Sequence, residues 1–251
     1  MKPKERQAKI AEIVDQQGRM TVDSLSAHFG VSAETIRRDL GELAESGVVQ
    51  KVHGGVKPLK LHFEGSFQER MAEDAAGKRI IARKLLDLVE PGDTIFIDTG
   101  STTLFCAEEL SALERLTVIT NSVRIAQIFA AAGNGASIYL LGGAFSSDNG
   151  ETVGPIAIEQ IANFHADHAI LTVAAIDHEA GATDASFDEA QVGRAMARNA
   201  RHVYVVASGA KFGRRAAFGV CPLAQIDVIV SDARPPPELL KALRASGTAM
   251  R

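Results

Sequence analysis

The first 57 residues contain three stretches in which apolar residues recur at helical spacing and one stretch in which they alternate. The helical positions are Ile10, Ile13 and Val14, then Val22, Leu25 and Phe29, then Ile36, Leu40 and Leu43. Thr21 can cap the second helix, and Gly30 can end it with a positive φ. The alternating stretch, "VVQKVHGGV", predicts a β-hairpin that turns at Gly54-Gly55. Three helices and a hairpin predict an α+β winged helix-turn-helix domain over residues 1–57.

Between residues 58 and 77 the pattern has no sustained period, which predicts a linker. From Lys78 onward, short apolar runs alternate with helix-like stretches that include residues 78–89 and 188–199. The runs are "TIFID", "LTVIT", "SIYLLGG", "HAILTVA", "HVYVVA" and "DVIVSD". Strands separated by helices are typical of a largely parallel sheet that is buried on both faces. Residues 78–251 are therefore predicted to form an α/β domain.

Charge is distributed unevenly between these two parts. The whole chain has 27 Lys and Arg against 31 Asp and Glu, a net charge of −4. Residues 1–60 hold ten basic and eight acidic residues, net +2, so residues 61–251 hold 17 and 23, net −6. A mildly basic head on an acidic body suits a DNA-reading head attached to a body with another task.

The sequence gives no support for binding of a metal, a cofactor or a membrane. Cys106 and Cys221 form no C-x-x-C pair and have no His nearby at zinc-ligand spacing, so both are expected to be buried, reduced thiols. The stretch "MKPKERQAKI" lacks the apolar segment of a signal peptide, and no apolar run approaches the roughly 20 residues of a membrane span. The protein is expected to be soluble and cytoplasmic.

The stretch "VSAETIRRDL", Val31 to Leu40, is the candidate for DNA recognition. In a helix-turn-helix, the second helix enters the major groove and its N-terminal residues meet base edges. Adjacent arginines point about 100° apart on a helix, so the two cannot both face the core, and arginine can bridge guanine O6 and N7 or clamp a phosphate. The candidates for DNA contact are Ser32, Thr35, Arg37, Arg38, Lys51 and His53. The alternative is a solvated helix in which one of the arginines pairs with Asp39.

The stretch "IFIDTGSTT", Ile95 to Thr103, is the candidate for ligand binding. Hydroxyls and free N–H groups at a strand-to-helix turn form an anion site, and Gly100 would let the backbone approach a phosphate. Ligands of α/β sheets bind beyond the carboxyl ends of the strands, where further polar residues stand. The candidates for effector binding are Asp98, Thr99, Gly100, Ser101, Thr102, Thr103, Asn121, Ser122, Gly143, Asp177 and Lys211. Each has an alternative role as a cap, a turn residue or a surface charge.

Both candidate stretches lie within a longer resemblance. "VSAETIRRDL" and "ELAESGVVQKVHGGV" resemble the N-terminal domain of DeoR-type bacterial repressors, and the likeness continues through "KRIIARKL", "IFIDTGSTT", "LTVITNS" and "IDVIVSD". The resemblance implies a sensor domain of the ribose-5-phosphate-isomerase-like type, in which "DTGSTT" holds phosphate. It also implies a repressor that leaves its operator when a phosphorylated sugar or polyol binds. Glycerol 3-phosphate is the first candidate effector, because "SSDNGETVG" and "SDARPPP" resemble family members that regulate glycerol 3-phosphate metabolism.

Two other interpretations remain open. The body could be a sugar-phosphate isomerase with a DNA-binding appendage, in which Asp98, Asp177 and Glu189 are available for acid–base work. The protein could also be an architectural DNA binder without an effector, although the anion loop argues against this. A regulator without enzymatic activity is favoured, since no acidic cluster stands out in the sequence. A homo-oligomer, dimer or tetramer, is expected because a single winged helix buries little DNA surface.

Overall fold

The computed structural model describes residues 2–45, 48–58 and 65–251. The chain divides into two units, Met1–Phe63 and Glu64–Arg251. The first unit has one apolar core, and the second has two that lie on opposite faces of a sheet. Within the described residues, no helix is both long enough and apolar enough to span a bilayer.

Three helices and a three-stranded sheet make up the described part of the first unit. Its elements are α1 (Pro3–Gln17), β1 (Met20–Thr21), α2 (Val22–Phe29), α3 (Ala33–Glu45), β2 (Val49–Val52) and β3 (Gly55–Pro58). Thr21 begins α2 as predicted, since its Oγ1 accepts the Ser24 N–H at 3.1 Å. Gly30 ends α2 with a φ of +62°. The predicted winged helix-turn-helix is confirmed.

The hairpin differs from the prediction in its turn and in its width. His53 and Gly54 form the turn between β2 and β3, and Gly54 has the positive φ, +72°. Gly55 instead pairs with Thr21 of β1, and a Cβ at Gly55 would lie 2.1 Å from the Met20 carbonyl oxygen. A two-residue strand has no periodicity to detect, so the sequence could not predict the order β1-β3-β2.

A buried ion pair joins α1 to α3. Arg6 Nε lies 2.6 Å from Asp39 Oδ2, and Arg6 Nη2 lies 3.1 Å from Asp39 Oδ1. The two side chains are 7% and 1% exposed. This two-pronged contact fixes α3 against α1. Asp39 is therefore the partner of Arg6, and the alternative in which it pairs with Arg37 or Arg38 is wrong.

The second unit is a layered α/β structure. Its helices are α4 (Phe67–Ala72), α5 (Ala75–Leu86), α6 (Ser101–Leu110), α7 (Val123–Ala132), α8 (Pro155–Ile161), α9 (Phe187–Arg198) and α10 (Pro237–Ser246). Its strands are β4 (Thr94–Ile97), β5 (Thr117–Thr120), β6 (Ser137–Leu140), β7 (Ala144–Ser146), β8 (Glu151–Val153), β9 (Ala166–Thr172), β10 (Ala175–Asp177), β11 (Gly181–Asp184), β12 (Ala200–Val206), β13 (Phe218–Cys221), β14 (Val228–Val230) and β15 (Ala249–Met250).

The predicted parallel sheet is confirmed. Seven strands in the described residues lie in the order β15-β14-β12-β9-β4-β5-β6, and every neighbouring pair is parallel. Ile95 and Ile97 of β4 enter one core while Phe96 enters the other, because successive side chains of a strand point to opposite faces. Two small antiparallel sheets, β10-β11-β13 and β7-β8, accompany the central sheet and were not predicted.

Residues 58–77, predicted as a linker, carry α4 and the start of α5 in their described part. Ser66 caps α4, and Phe67 is only 3% exposed. Asp74 caps α5, which begins before the predicted start at Lys78. α4 has six residues, too few for a helical period to be seen in the sequence. The stretch from residue 65 onward therefore belongs to the second unit.

Candidate functional site

The hydroxyls predicted for phosphate contact lie at the start of α3. Ser32 Oγ accepts the Thr35 N–H at 3.2 Å and lies 2.9 Å from Thr35 Oγ1. Ser32 is exposed and Thr35 is half-buried. The partial positive charge of a helix N-terminus favours a phosphate beside these groups.

Arg37 and Arg38 are exposed and have surface partners. Their side chains are 59% and 68% exposed, with Arg37 Nη1 3.2 Å from Glu34 Oε2 and Arg38 Nε 4.0 Å from Glu42 Oε1. Exposed pairs of this kind contribute about 0–1 kcal/mol, so a DNA phosphate or base can replace the carboxylate at little cost. Ile36 is fully buried and holds the helix on the core of the head.

The hairpin carries the remaining two DNA-contact candidates. Lys51 and His53 are both exposed. Arg19 adds a guanidinium to this part of the head, since its Nη2 donates to the His53 carbonyl oxygen at 3.3 Å. Sequence analysis missed Arg19 because the contact joins residues 34 positions apart.

A cavity of about 300 Å³ lies at the carboxyl ends of β4, β9 and β12. It is lined by Arg70, Glu73, Asp74, Lys78, Ser101, Thr102, Thr172, Val173, Asp184, Glu189, Ser208, Ala210 and Lys211. Of the predicted effector residues, it brings together Ser101, Thr102 and Lys211. Its position is the one at which parallel α/β sheets generally bind ligands.

One end of the cavity, called the cationic end, holds three positive side chains beside the carboxylates of Glu73 and Asp74. Arg70 of α4, Lys78 of α5 and Lys211, which follows β12, converge there. Lys78 Nζ donates to the carbonyl oxygens of Arg70 and Glu73. Burial lowers the pKa of Lys78; the Glu73 charge opposes this, whereas the positive charges of Lys211 and Arg70 lower the pKa further. An anion placed among the three cations would relieve their mutual repulsion.

The predicted phosphate loop faces the cavity only in part. Ser101 and Thr102, in the first turn of α6, line it. Thr103 is fully buried and its Oγ1 donates to the Gly100 carbonyl at 3.2 Å. A Cβ at Gly100 would lie 2.2 Å from Thr172 Cγ2. Glycine is therefore needed there so that the turn can pass Thr172 of β9, and the predicted approach of this turn to a phosphate stays a prediction.

The other end of the cavity is acidic. Asp184 and Glu189 line both the cavity and an adjoining recess of about 10 Å³, room for one water molecule. Asp98 and Glu151 also line the recess, together with the predicted Thr99 and Asn121. The structure thus assembles a four-carboxyl cluster from β4, β8, β11 and α9 that the sequence did not reveal.

Two carboxyls of the recess, Asp98 and Glu151, hold their protons more firmly than exposed acids do. Burial raises the pKa of Asp98 well above its ordinary value, and the charges of Asp184, Glu189 and Glu151 add to this. The Thr172 N–H opposes the rise by donating to both Asp98 oxygens at 3.0 Å. Burial also raises the pKa of Glu151, against the amide groups of Asn149 and Asn121. A protonated carboxyl here can donate a hydrogen bond to a ligand hydroxyl.

A chain of hydrogen bonds connects the two ends. Arg70 Nη2 donates to Asn149 Oδ1, and Asn149 Nδ2 donates to Glu151 Oε1 at 2.9 Å. Asn121 Nδ2 donates to Glu151 Oε2 at 3.2 Å, and Asn121 Oδ1 accepts from Thr99 Oγ1 at 3.3 Å. Arg70, Asn149 and Glu151 could not be predicted as site residues from the sequence, because none of them follows a strand of the central sheet.

Three predicted effector residues have structural contacts away from the cavity. Ser122 caps α7 through the Ile125 N–H. A Cβ at Gly143, whose φ is +145°, would lie 2.5 Å from the Val153 carbonyl oxygen. Burial works against ionisation of Asp177, but Arg215 Nη2 at 2.7 Å and two backbone N–H groups lower its pKa to about 2. These residues hold turns and caps in place.

The described part of the chain has no cluster of side chains placed to ligate a metal, and its two cysteines are buried. No group of three or more His, Cys, Asp or Glu residues is arranged there to hold a metal ion. Cys106 and Cys221 are free and buried, as predicted. Burial raises the pKa of Cys221 to about 12, so it remains a thiol at neutral pH.

Comparisons with known proteins place both units in one family. Residues 6–60 match the DeoR-like helix-turn-helix domain, and residues 73–233 match the DeoR C terminal sensor domain. The chain is 33% identical over 243 residues to the glycerol-3-phosphate regulon repressor of Escherichia coli strain K12, covering 97% of this chain and 96% of that protein. The chain belongs to the DeoR family of transcriptional repressors.

Other relatives of this DeoR-family repressor are also named as repressors. The transcriptional repressor AccR of Agrobacterium fabrum is 34% identical over 230 residues, which cover 91% of this chain and 89% of that protein. The HTH-type transcriptional repressor CsqR of Escherichia coli strain K12 is 30% identical over 241 residues, 96% of this chain and 92% of that protein. The family therefore spans both units.

Solved structures with related folds include proteins with other activities. The tetrameric eIF2B-beta2-delta2 complex from C. thermophilum gives a TM-score of 0.51 at 13% identity, over 96% of this chain and 87% of that chain. Ribose 5-phosphate isomerase A from Methanocaldococcus jannaschii gives a TM-score of 0.41 at 15% identity, over 55% of each chain. At such identities the likeness concerns the fold alone.

Proposed function

We propose that this DeoR-family repressor binds operator DNA through α3 and the hairpin, and that a phosphorylated sugar or polyol in the cavity releases it. The observation that carries the proposal is the polarity of the cavity. Its cationic end suits a phosphate, and its acidic end suits the hydroxyls of a sugar or polyol. A ligand with one anionic end and one hydroxylated end matches both.

The cationic end provides the components of a phosphate site. Lys78 and Lys211 supply charge, and Ser101 and Thr102 supply hydroxyls at the N-terminus of α6, where main-chain N–H groups lack helical partners. We propose these four side chains as phosphate ligands, with Asp98, Thr99 and Asn121 supporting the acidic end. Glycerol 3-phosphate remains the first candidate, since the Escherichia coli relative is named for its regulon.

DNA contact is assigned to the exposed groups of the head. Arg37 and Arg38 project from α3, while Ser32, Thr35, Lys51 and His53 flank them in the chain. A single winged helix reads only a short half-site, so we propose that the repressor acts as a homo-oligomer on repeated half-sites. We also propose that the repressor binds this DNA in the cytoplasm.

Regulation without turnover is the better interpretation of the cavity. Both oxygens of Asp98 accept the Thr172 N–H, and Glu151 accepts from two asparagine amides. A carboxyl whose oxygens already accept protein hydrogen bonds has less capacity left to take a proton from a substrate. A repressor needs only to bind its ligand more tightly in one state than in the other.

A thermal-shift titration tests the effector assignment. A ligand at 100 times its Kd adds about 2.7 kcal/mol to the stability of the folded state. Glycerol 3-phosphate and related sugar phosphates are expected to raise the Tm of the second unit, and glycerol is not. The substitution Ser101→Asp places a carboxylate beside the phosphate and is expected to abolish the shift.

The control is Ser111→Asp, at the opposite end of the same helix and outside the cavity. It is expected to leave the shift intact. An equal response to glycerol and to glycerol 3-phosphate would count against a phosphate site. Interconversion of ribose 5-phosphate and ribulose 5-phosphate by the purified protein would favour the isomerase instead.

A further inference from the structure

α4 is the point at which the chain coming from the head enters the second unit. It is also the element that brings Arg70 into the cavity. An effector that contacts Arg70 therefore touches the segment nearest in sequence to the DNA-binding head. Two groups of α4 contacts bear on this link, one outside the cavity and one at its wall.

The contacts outside the cavity centre on Phe67. Its side chain is 3% exposed, and the Arg124 guanidinium lies 4.4 Å from its ring centroid. The Phe67 N–H donates to Asp148 Oδ2 at 3.2 Å. Arg124 also donates to the carbonyl oxygens of Asp148 and Asn149, at 3.2 and 3.3 Å. Arg124 and the Asp148–Asn149 loop thus form a seat for Phe67.

The contacts at the cavity wall centre on Arg70. Its guanidinium donates to Asn149 Oδ1 and to the Gly65 carbonyl oxygen. Asn149 Nδ2 donates in turn to Glu151 and Glu189, at 2.9 and 3.3 Å. The position of α4 is therefore linked to the carboxyls of the acidic end. A ligand that alters these hydrogen bonds therefore acts directly on α4 through Arg70.

The turn after α4 fixes the far side of the segment. Asp74 adopts a left-handed φ of 44° and its Oδ1 accepts the Gly77 N–H at 3.0 Å. A Cβ at Gly77 would lie 2.3 Å from Asp74 Oδ2, so this cap requires glycine. α5 is buried along Ile81 and Leu85. α5 is therefore a firmly held neighbour of α4.

We propose that Arg70 binds the anionic group of the effector and that α4 transmits this contact toward the head. In the effector complex, the guanidinium exchanges Asn149 for an anion held jointly with Lys78 and Lys211. A guanidinium suits this exchange because it can bind a phosphate with two parallel hydrogen bonds. The exchange moves α4 on its Phe67 seat. Arg70 is thus both an effector ligand and the coupling residue, an inference that rests on the proposed function.

Two substitutions separate ligand binding from coupling. Arg70→Gln removes the charge at the cavity wall, and Arg124→Gln loosens the Phe67 seat without changing a cavity-lining residue. Arg83→Gln is the control, since Arg83 lies on α5 with its side chain 72% exposed. Calorimetry gives the Kd of glycerol 3-phosphate. Band-shift titration, on duplex DNA selected in vitro with the wild-type protein, gives DNA affinity with and without that ligand.

Arg70→Gln is expected to weaken glycerol 3-phosphate binding about tenfold or more, the loss of a charge-assisted hydrogen bond. At a concentration that saturates the variant, the ligand should no longer change DNA affinity. Arg124→Gln should bind the ligand within about twofold of wild type but show a reduced change in DNA affinity. Arg83→Gln should behave as wild type. Hydrogen exchange of the Phe67–Ala72 amides should change with ligand in wild type and not in Arg70→Gln.

The proposal is overturned if Arg70→Gln binds the ligand as tightly as wild type. It is also overturned if the saturated variant shows the full change in DNA affinity, because Arg70 would then bind without transmitting. If Arg124→Gln shows the full ligand-induced change in DNA affinity, α4 does not transmit the signal and the proposal is also overturned. If wild type itself binds neither glycerol 3-phosphate nor any other sugar phosphate, the proposed function fails and this inference fails with it.

Discussion

Single residues carry strong constraints where charge is buried. Arg6 and Asp39 satisfy each other inside the head at 2.6 Å, and each would be costly there alone. The sequence could not identify this pair, because its members are 33 positions apart and Asp39 follows two exposed arginines. The residues whose environment follows from their own helix, such as Ile36 and Leu40, were predicted correctly as core.

Asp39→Ala is expected to destabilise the head far more than removal of an exposed ion-pair partner, since it leaves the Arg6 guanidinium, 7% exposed, without its carboxylate. Denaturant unfolding followed through amide signals of the first unit measures the change. Glu34→Ala removes an exposed partner of Arg37 and should change stability by less than about 0.5 kcal/mol. Equal effects of the two substitutions would show that the buried pair contributes no more to stability than the exposed pair does.

The acidic recess predicts a pH dependence of stability. The folded-state pKa of Asp98 lies above the ordinary 3.8, so the folded chain keeps a proton that the unfolded chain loses. Stability therefore falls as pH rises from about 4 through the folded-state pKa. Asp98→Asn cannot ionise, and its Tm should depend less on pH above about pH 4 than that of the wild type does. A parallel pH profile in the two proteins would contradict this.

At the scale of elements, the long periodic segments were predictable and the short ones were not. The helices around Ile36 and the apolar strands of the central sheet appear where the pattern placed them. β1, α4 and β15 have two, six and two residues, so tertiary contacts determine them and no local period exists. The residues of the candidate site likewise divide into predictable and unpredictable ones. Ser101, Thr102 and Lys211 follow strands, whereas Arg70 lies on one of these short elements.

The three-stranded wing depends on a close approach of two backbones. In Gly55→Ala, the new methyl group would meet the Met20 carbonyl oxygen and separate β1 from β3. We expect a loss of about 1–3 kcal/mol, typical of an overpacked site. Thermal unfolding of the head measures it. Gly41→Ala lies within α3 with open space around the new methyl and should instead stabilise by about 0.5–1 kcal/mol.

At the scale of the whole molecule, effector binding in one unit must be coupled to DNA binding by the other, although each unit has its own core. If the effector weakens DNA binding by a given factor, thermodynamic linkage requires DNA to weaken effector binding by the same factor. We expect a coupling of about 1–3 kcal/mol, or 5- to 150-fold. Calorimetric Kd values of glycerol 3-phosphate with and without saturating duplex, at one salt concentration, measure it. Two different factors would mean that more than one assembly state takes part.

The register of β4 has a consequence for synthesis of the chain. Ile95 pairs with His168, so about 73 residues must be added after Ile95 before β4 meets its neighbour β9. At about 5–20 residues per second on the ribosome, β4 waits roughly 4–15 s with one edge open. The head needs only its own local contacts and is complete before that wait begins. In a nascent chain, the DNA-binding head is therefore expected to be folded for several seconds before the second unit can fold.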